Sequence, residues 1–348
     1  MIHLVQIGNG TARRVAVVEE PHLRCLAEVG SIYELAQRGL ASGENLGQLA
    51  ITLAQGDVLD YDVVYAGASE WHLLAPIDVP GDPSRLTVAG TGLTHLGSAK
   101  DRQAMHLADS DKASAVKAEA AKTDETVTDS MRMFHWGVEG GRPAEGQIGI
   151  APEWFYKGSG TMLRAPFAPL IVPAYAEDGG EEAEIAGIYI IGTDGLPYRI
   201  GMAAGNEFSD HKFEKRNYLN LAGSKLRTCS LGPELVVGAE FQAIAGEARI
   251  ERGGATIWSK AVATGEENMC HSLANLEHHH FKFEGHRQPG EVHVHFFGAH
   301  SLSFGDGIVL EDGDWMQVHY AGFGRPLRNP VRVEDKDASK LVAVRSLA

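Results

Sequence analysis

From residue 147 onward the sequence consists mainly of short apolar runs separated by glycines, and this pattern constrains the fold more than any other feature. Each run is rich in β-branched or aromatic residues, and helical spacing returns only briefly, at residues 272–283. The runs are EIAGIYIIG, YRIGMAAG, LVVGAEFQAIAGEARIERGG, VHVHFFGA and WMQVHYAGFG. The 41 glycines, against 14 prolines, also favour frequent turns. The sequence therefore predicts an α+β, mainly β domain of sandwich or roll type.

The N-terminal segment has a different pattern. Two strand-like runs flank a Gly-Asn-Gly turn at residues 8–10, which predicts a β-hairpin, and helical spacing follows at residues 32–41 and 45–53. Three prolines within residues 73–85 indicate a linker. We therefore predict a small N-terminal α+β domain over residues 1–80 and a larger domain over 81–348.

The charge balance excludes some classes of partner. Acidic side chains outnumber basic ones by 46 to 31, and the net charge is −15 at neutral pH. Because phosphate contacts require a basic surplus, we expect neither a nucleic-acid binder nor a protein of anionic membranes. The start of the chain lacks a basic leader and no run reaches ~20 apolar residues. With three scattered cysteines, Cys25, Cys229 and Cys270, free thiols and a cytoplasmic location are expected.

The segment at about residues 98–130 is rich in Ala, Lys, Asp and Glu and low in apolar residues. Alanine-rich composition favours helix. Two interpretations stay open, a solvated surface helix pair and a lid over a nearby site.

Two acidic segments could together hold a metal. Glu182 and Glu184 lie two residues apart at the start of an apolar run, so on a strand they share one face. Two inward carboxylates repel unless a cation joins them, and Mg²⁺ or Mn²⁺ prefers such oxygen ligands. A third carboxylate, Glu207, follows the next strand-like run. The alternatives are a solvated acidic loop and a polar turn in which Asn206 and Ser209 cap a helix.

Taken in order, several motifs resemble the fumarylacetoacetate hydrolase superfamily over about residues 85–333. Members have a Glu-x-Glu strand, an Asn-Asp-x-Ser turn, a lysine followed by Leu-Gly-Pro, and a glycine-rich C-terminal ending. The matching residues here are Glu182 and Glu184, Asn206 to Ser209, Lys225 with Leu231-Gly232-Pro233, and Gly322 to Val331; upstream, Trp154 to Ser159 and Thr91 to His95 are similar to further family segments.

The resemblance implies a mixed β-sandwich roll of the superfamily's C-terminal type that binds one divalent metal, Mg²⁺ or Mn²⁺, usually in a homodimer. Glu182 and Glu184 match two of the metal ligands. Glu207 stands where most members have an aspartate, so its extra methylene must be accommodated. The implied substrate is a small-molecule 2-keto acid.

Departures from the family pattern suggest a branch. Ser98 occupies the position where several carbon–carbon hydrolases have a glutamate that pairs with the histidine equivalent to His95. The shortened segment from Lys225 to Cys229 resembles the sugar-acid branch, which includes dehydratases of 2-keto-3-deoxy-pentonates. We therefore expect a metal-dependent dehydratase in pentose catabolism. A hydrolase of 2,4-diketo acids and a non-catalytic ligand-binding protein remain as alternatives.

The dehydratase hypothesis assigns roles to the remaining motif residues. Lys225 is the candidate base for a C3 proton, which requires its pKa to fall by roughly 3 units, and His95 is the candidate acid for the C4 hydroxyl. The candidate substrate-binding residues are Lys157, Ser159, Arg227 and Asn206. Alternatively, Lys225 only pairs with the acidic cluster and His95 is a hydrogen-bonded histidine at a strand end.

A histidine-rich region, residues 278–300, allows a second metal hypothesis. His293 and His295 alternate on a strand and share a face, which suggests zinc. Three adjacent histidines, 278–280, cannot all converge on one ion from a helix, however. The family resemblance places this region on a surface helix and the strand after it.

Overall fold

The computed structural model describes residues 1–97, 99–100, 128–338 and 340–347. The strands are β1 (Ile2–Asn9), β2 (Ala12–Glu19), β3 (His22–Cys25), β4 (Val58–Asp60), β5 (His72–Leu73), β6 (Leu86–Gly92), β7 (Glu153–Ser159), β8 (Leu163–Arg164), β9 (Leu170–Val172), β10 (Ala183–Ile191), β11 (Pro197–Asn206), β12 (Cys229–Leu231), β13 (Leu235–Val237), β14 (Ile244–Arg252), β15 (Ala255–Thr264), β16 (Val292–Phe296), β17 (Trp315–Tyr320) and β18 (Leu327–Val333). The α-helices are α1 (Ile32–Ser42), α2 (Leu46–Leu53), α3 (Tyr61–Tyr65), α4 (Asp129–Gly140), α5 (His211–Arg216), α6 (Leu221–Lys225) and α7 (Leu273–Phe281).

The larger of two sheets runs through both halves of the chain. Its order is β4-β3-β2-β1-β13-β11-β10-β16-β6-β7, with β5 beside β1, β12 beside β11, and β8 beside β12. Neighbouring strands in this sheet are antiparallel except for two parallel pairs, β16 with β6 and β12 with β8. The N-terminal strands join the rest through β1 and β13, where Leu4 lies opposite Leu235. The predicted division at residue 80 remains a prediction.

A second sheet packs on the first and completes a mainly β, two-layer architecture. Its order is β15-β14-β17-β18-β9. Ile185 and Met202 from the large sheet meet Val318, Tyr320 and Leu327 from the second sheet in a buried apolar cluster. The predicted fold class is therefore confirmed, because alternating apolar residues of both sheets form this core.

The local N-terminal predictions agree with the structure. β1 and β2 form the hairpin, with Asn9 opposite Ala12. The side chains of Ser31 and Asn45 accept hydrogen bonds from backbone N–H groups at the starts of α1 and α2. Apolar side chains of α1 and α2 then pack on the face of the large sheet opposite the second sheet.

The predicted lid or helix pair at residues 98–130 lies mostly outside the described residues. After it, α4 begins at Asp129 with Thr128 as its N-cap. All three cysteines are buried and free, as expected. Within the described ranges, every helix is too short or too polar to cross a bilayer.

Candidate metal centre and active site

Antiparallel pairing of β10 and β11 brings the three predicted carboxylates together. Ala183 lies opposite Asn206, so Glu182 and Glu207 face each other where the pair ends, and Glu207 N donates to Glu182 O at 2.9 Å. Glu184 is on β10, and each of the three offers a carboxylate oxygen within 4.8 Å of the others. All three side chains are at most 2% exposed. The solvated acidic loop is therefore excluded for these residues.

A buried lysine partly neutralises the negative charge of two of these carboxylates. Lys225, the last residue of α6, donates from Nζ to Glu182 Oε1 at 2.5 Å, to Glu207 Oε2 at 2.6 Å and to Ser209 Oγ at 2.9 Å. The ammonium also lies 4.7 Å from the centre of the Phe155 ring on β7. The structure thus places the candidate base directly against the candidate ligands.

Lys157 of β7 neutralises the charge of Glu207 at the carboxylate oxygen other than the one that accepts from Lys225. Its Nζ lies 2.6 Å from Glu207 Oε1, and it donates to Phe208 O at 2.5 Å and to Lys225 O at 2.9 Å. Burial lowers the pKa of Lys157, although the charge of Glu207 opposes this. Burial likewise raises the pKa of Glu207, and the two lysines offset only part of that rise.

Glu184 is held by a backbone N–H group. Gly298 N, just beyond β16, donates to Glu184 Oε2 at 2.7 Å. Gly298 has a φ of +99°, and a Cβ at this position would collide with Thr94 Oγ1, so the close approach requires glycine. Burial raises the pKa of Glu184 well above its usual value, and the charges of Glu182 and Glu207 raise it further.

The site also includes His211 and Ser209, to which the sequence analysis gave no role at the metal. His211 Nε2 lies 3.0 Å from Glu182 Oε1, and Ser209 Oγ donates to Glu207 Oε2 at 3.0 Å. Burial alone would lower the pKa of His211, but its hydrogen bond to Glu182 raises it overall. Both residues lie in the polar stretch after β11, where a histidine four residues beyond Glu207 was the available signal.

This donor set fits a divalent metal. It consists of three buried carboxylates, the ligand type that hard cations select, and burial together with mutual repulsion raises the pKa of Glu184 and Glu207. The only ligand atoms it offers are oxygens, which disfavours soft ions. Glu182, Glu184 and Glu207 would hold the ion, with His211 and Ser209 orienting two of them.

Three of the four predicted substrate-binding residues line one cavity next to this centre. The cavity has a volume of about 460 Å³, and its lining includes Lys157, Ser159 and Arg227. Arg227 donates from Nη2 to Asp210 Oδ2 at 3.3 Å. Among the described residues, none accepts a hydrogen bond from its buried Nε.

Asn206 lies elsewhere. Its Oδ1 accepts from Glu182 N at 3.2 Å and its Nδ2 lies 3.5 Å from Met316 Sδ, inside the packed sheets. The buried amide therefore fixes the backbone beside the carboxylates. Its contact with substrate remains a prediction from the sequence.

His95 follows β6 and is fully buried. Its Nδ1 lies 2.9 Å from Thr94 Oγ1 and its Nε2 lies 3.2 Å from Thr264 Oγ1. Burial lowers its pKa to about 3, and nearby His300 adds to the effect. The imidazole is therefore neutral at pH 7, and it is satisfied by hydroxyl groups, as the alternative interpretation expected.

The predicted surface position of the histidine-rich region is wrong. His280, His293 and His295 are buried, because the end of α7 packs against β16. The His280 ring stacks on His295 with centroids 4.4 Å apart. His280, His286 and His293 each place a ring nitrogen within 4.8 Å of the others.

Comparisons with known proteins give matches only at the level of structure. No family model matches the chain, and no curated protein sequence does. A 2-keto-3-deoxy-D-arabinonate dehydratase complexed with magnesium and 2,5-dioxopentanoate is similar with a TM-score of 0.68 and 16% identity, over 95% of this chain and 99% of that one. A fumarylacetoacetate hydrolase from Exiguobacterium antarcticum is similar with a TM-score of 0.60 and 17% identity, over 96% and 100%.

A third solved structure of this kind is a 2-hydroxyhepta-2,4-diene-1,7-dioate isomerase from Mycobacterium marinum. Its TM-score is 0.55 at 16% identity, with 96% of this chain and 99% of that chain covered. Because the structures align over nearly the whole chain while few residues are identical, these similarities show a shared fold. The chain therefore has the fold of the fumarylacetoacetate hydrolase superfamily, as its motifs predicted.

Proposed function

We propose that this protein is a metal-dependent hydro-lyase that dehydrates a 2-keto-3-deoxy sugar acid, such as 2-keto-3-deoxy-arabinonate or -xylonate. The observation that carries the proposal is a cluster of three buried carboxylates, two of which accept from the buried Lys225, beside a cavity lined by Arg227. The similarity in fold to a dehydratase complexed with magnesium supports it. A cytoplasmic homodimer is part of the same proposal, and it rests on the resemblance and the cysteine content.

The metal is Mg²⁺ or Mn²⁺, held by Glu182, Glu184 and Glu207. When bound, it supplies Lewis-acid polarisation of the substrate's keto oxygen, which makes the C3 protons more acidic. The buried environment strengthens this effect, because the effective dielectric there is lower than in water.

Lys225 is the proton carrier. The three carboxylates hold three negative charges, which a dication and the ammonium of Lys157 balance, so Lys225 need not stay charged. As a neutral amine Lys225 takes the C3 proton, and the C3–H electron pair forms the C3–C4 double bond while the C4–O bond breaks. The ammonium then returns the proton to the departing hydroxyl, which leaves as water.

This assignment differs from the expectation that His95 is the acid. With a pKa of about 3, His95 carries a proton in only about one molecule in 10⁴ at pH 7, so it is not a pre-charged donor. Lys225 already lies at the carboxylate centre and holds the proton after the first step. We propose that a single residue serves both steps.

Arg227 is proposed to bind the substrate's polar end. Its Nε is buried and lacks an acceptor within the described part of the chain, and its side chain lines the cavity with Ser159. A carboxylate or hydroxyl in the cavity would satisfy this donor. The three donors of Lys157 are engaged by internal partners, so we propose that Lys157 positions Glu207 and does not contact substrate.

One observation favours a second candidate function, hydrolysis of a carbon–carbon bond in a 2,4-diketo acid. Neutral His95 has an unprotonated ring nitrogen that can accept a proton from water, and its pKa of about 3 makes it a weak base. The fumarylacetoacetate hydrolase with this fold is consistent with that chemistry.

Product analysis distinguishes the two functions. The purified protein, with Mg²⁺ or Mn²⁺, is incubated with candidate 2-keto-3-deoxy-pentonates and 2,4-diketo acids, and products are identified by mass spectrometry. A product one water lighter, with all carbons retained, supports the dehydratase, and two fragments support the hydrolase.

A matched pair of variants tests the metal centre. Glu184→Gln should lose metal binding and turnover together, whereas Glu267→Gln, an exposed glutamate, should lose neither. Full activity of Glu184→Gln after exhaustive chelation would refute both metal-dependent functions. Binding of keto acids without turnover across the whole panel would instead favour a ligand-binding protein.

A further inference from the structure

A second cluster of metal-ligating side chains lies away from the carboxylates. His280 is on α7, His286 is in the short 3₁₀ turn that follows, and His293 is on β16. One ring nitrogen from each lies within 4.8 Å of the others, so the three separate elements present their imidazoles to a common point.

One of the three rings, that of His286, has the hydrogen-bond partner that metal-ligating histidines usually have. His286 Nδ1 must donate to His280 O, 2.6 Å away, because a carbonyl only accepts, and this leaves the Nε2 lone pair of His286 for a ligand. The Nδ1 of His293 faces His280, and its buried Nε2 has no hydrogen-bond partner within the described residues, since Glu291 Oε2 lies 4.0 Å away. A backbone carbonyl, as at His286, is a common outer partner of the non-ligating nitrogen.

The spacing of the third ring also suits an ion. His280 Nε2 and His293 Nδ1 are 3.0 Å apart. Two imidazole nitrogens on one tetrahedral Zn²⁺, at about 2.0–2.1 Å each, lie about 3.3 Å apart, so a small adjustment accommodates the ion.

The indole N–H of Trp154 disfavours metal binding at His280, and the effect can be measured. Its Nε1–H only donates, so His280 Nδ1 accepts at 3.1 Å and the proton of neutral His280 lies on Nε2, where it donates to His293. An ion at Nε2 moves that proton to Nδ1, where it faces the indole N–H. Trp154 therefore both reports binding and weakens it.

We propose that His280, His286 and His293 bind one borderline transition-metal ion such as Zn²⁺, as a second site that joins the end of α7 to β16. Three imidazoles favour zinc-type ions, whereas Mg²⁺ prefers oxygens. The site is distinct from the carboxylates, because His293 pairs with Tyr189, five residues along β10 from Glu184, which is about 17 Å at ~3.4 Å per residue. His286 is partly exposed and provides access from solvent.

The test is calorimetric titration of the metal-stripped full chain with ZnCl₂ in excess MgCl₂, with CoCl₂ as a spectroscopic probe. We expect one Zn²⁺ per chain that excess Mg²⁺ does not displace, and a change in Trp154 fluorescence with Co²⁺. His286→Gln should weaken binding at least tenfold, whereas His278→Gln, an exposed neighbour on α7, should not. Trp154→Phe should tighten binding about fivefold, since it removes the opposing N–H.

The same titration of Glu184→Gln separates this site from the carboxylate site. Zinc binding that persists in Glu184→Gln and disappears in His286→Gln supports the histidine site whether or not the protein proves to be a dehydratase. Equal zinc affinity in wild type and His286→Gln, or loss of all binding in Glu184→Gln alone, would overturn it. Weaker binding in Trp154→Phe would likewise contradict the assigned proton positions.

Discussion

Replacing His95 by Gln should make the free energy of unfolding depend less on pH. The ring is fully buried between the hydroxyls of Thr94 and Thr264, and a glutamine amide can bond to both without titrating. The pKa of His95 falls from 6.5 in the unfolded chain to about 3 in the folded one. Its contribution is therefore fully present above pH 6.5, and it is lost as the pH falls from 6.5 toward 3.

The expected size follows from this difference. At pH 5 the unfolded histidine is almost fully protonated while folded His95 is neutral, so unfolding takes up about one proton at this residue. Each pH unit between the two pKa values is worth about 1.4 kcal/mol. Wild type should thus lose ~2 kcal/mol more free energy of unfolding than His95→Gln between pH 7 and pH 5.

The number of protons that the protein takes up during urea unfolding measures the contribution of His95 directly, without the assumption of a two-state transition. At pH 5, potentiometric titration should give about one proton fewer for His95→Gln than for wild type. At pH 7.5 the two should agree, since His95 is neutral in both states, and this serves as the internal control. Equal uptake at pH 5 would show that folded His95 is already protonated, and would restore it as an acid in the reaction.

Three further predictions concern two residues that contact the metal-site carboxylates, Lys225 and Gly298, and a buried carboxylate elsewhere, Glu234. Lys225→Met should reduce kcat by about 10²–10⁴-fold while Mg²⁺ affinity by calorimetry stays equal or rises, because the ammonium that competes for Glu182 is gone. Gly298→Ala should weaken Mg²⁺ binding about tenfold in the same assay, because the added Cβ displaces the N–H that orients Glu184. Glu234→Ala should lower the free energy of unfolding by about 2 kcal/mol in urea titrations, because it removes the carboxylate that accepts from buried Tyr61 Oη and from Arg325 N.

Strand periodicity accounts for most of what the sequence predicted correctly. The two-residue repeat placed Glu182 and Glu184 on one face, and both are buried beside each other. Glu207 required the family motif as well, since its position depends on the register between β10 and β11. A one-residue slip would have turned its side chain to the opposite face, and composition alone does not set register.

The contacts of Lys157 could not be found in the same way. Lys157 meets Glu207 across a sequence separation of 50 residues, and no local pattern encodes a tertiary ion pair. His280 was accessible to sequence reasoning, however. It lies four and seven residues after Leu276 and Leu273, on the apolar face of α7, so helical periodicity indicates burial where a surface helix was expected.

The two buried lysines differ in their hydrogen-bond acceptors, and the difference supports the proposal that Lys225 is the proton carrier. Two of the three acceptors around Lys157 are backbone carbonyls, Phe208 O and Lys225 O, which cannot move away or ionise when the lysine loses a proton. Deprotonating Lys157 would therefore leave a buried carbonyl without its donor. The acceptors of Lys225 are the side chains of Glu182, Glu207 and Ser209, and a metal ion or the Ser209 hydroxyl can satisfy those carboxylates in its place. Of the two lysines, only Lys225 can give up a proton without leaving a buried backbone carbonyl without its hydrogen-bond donor.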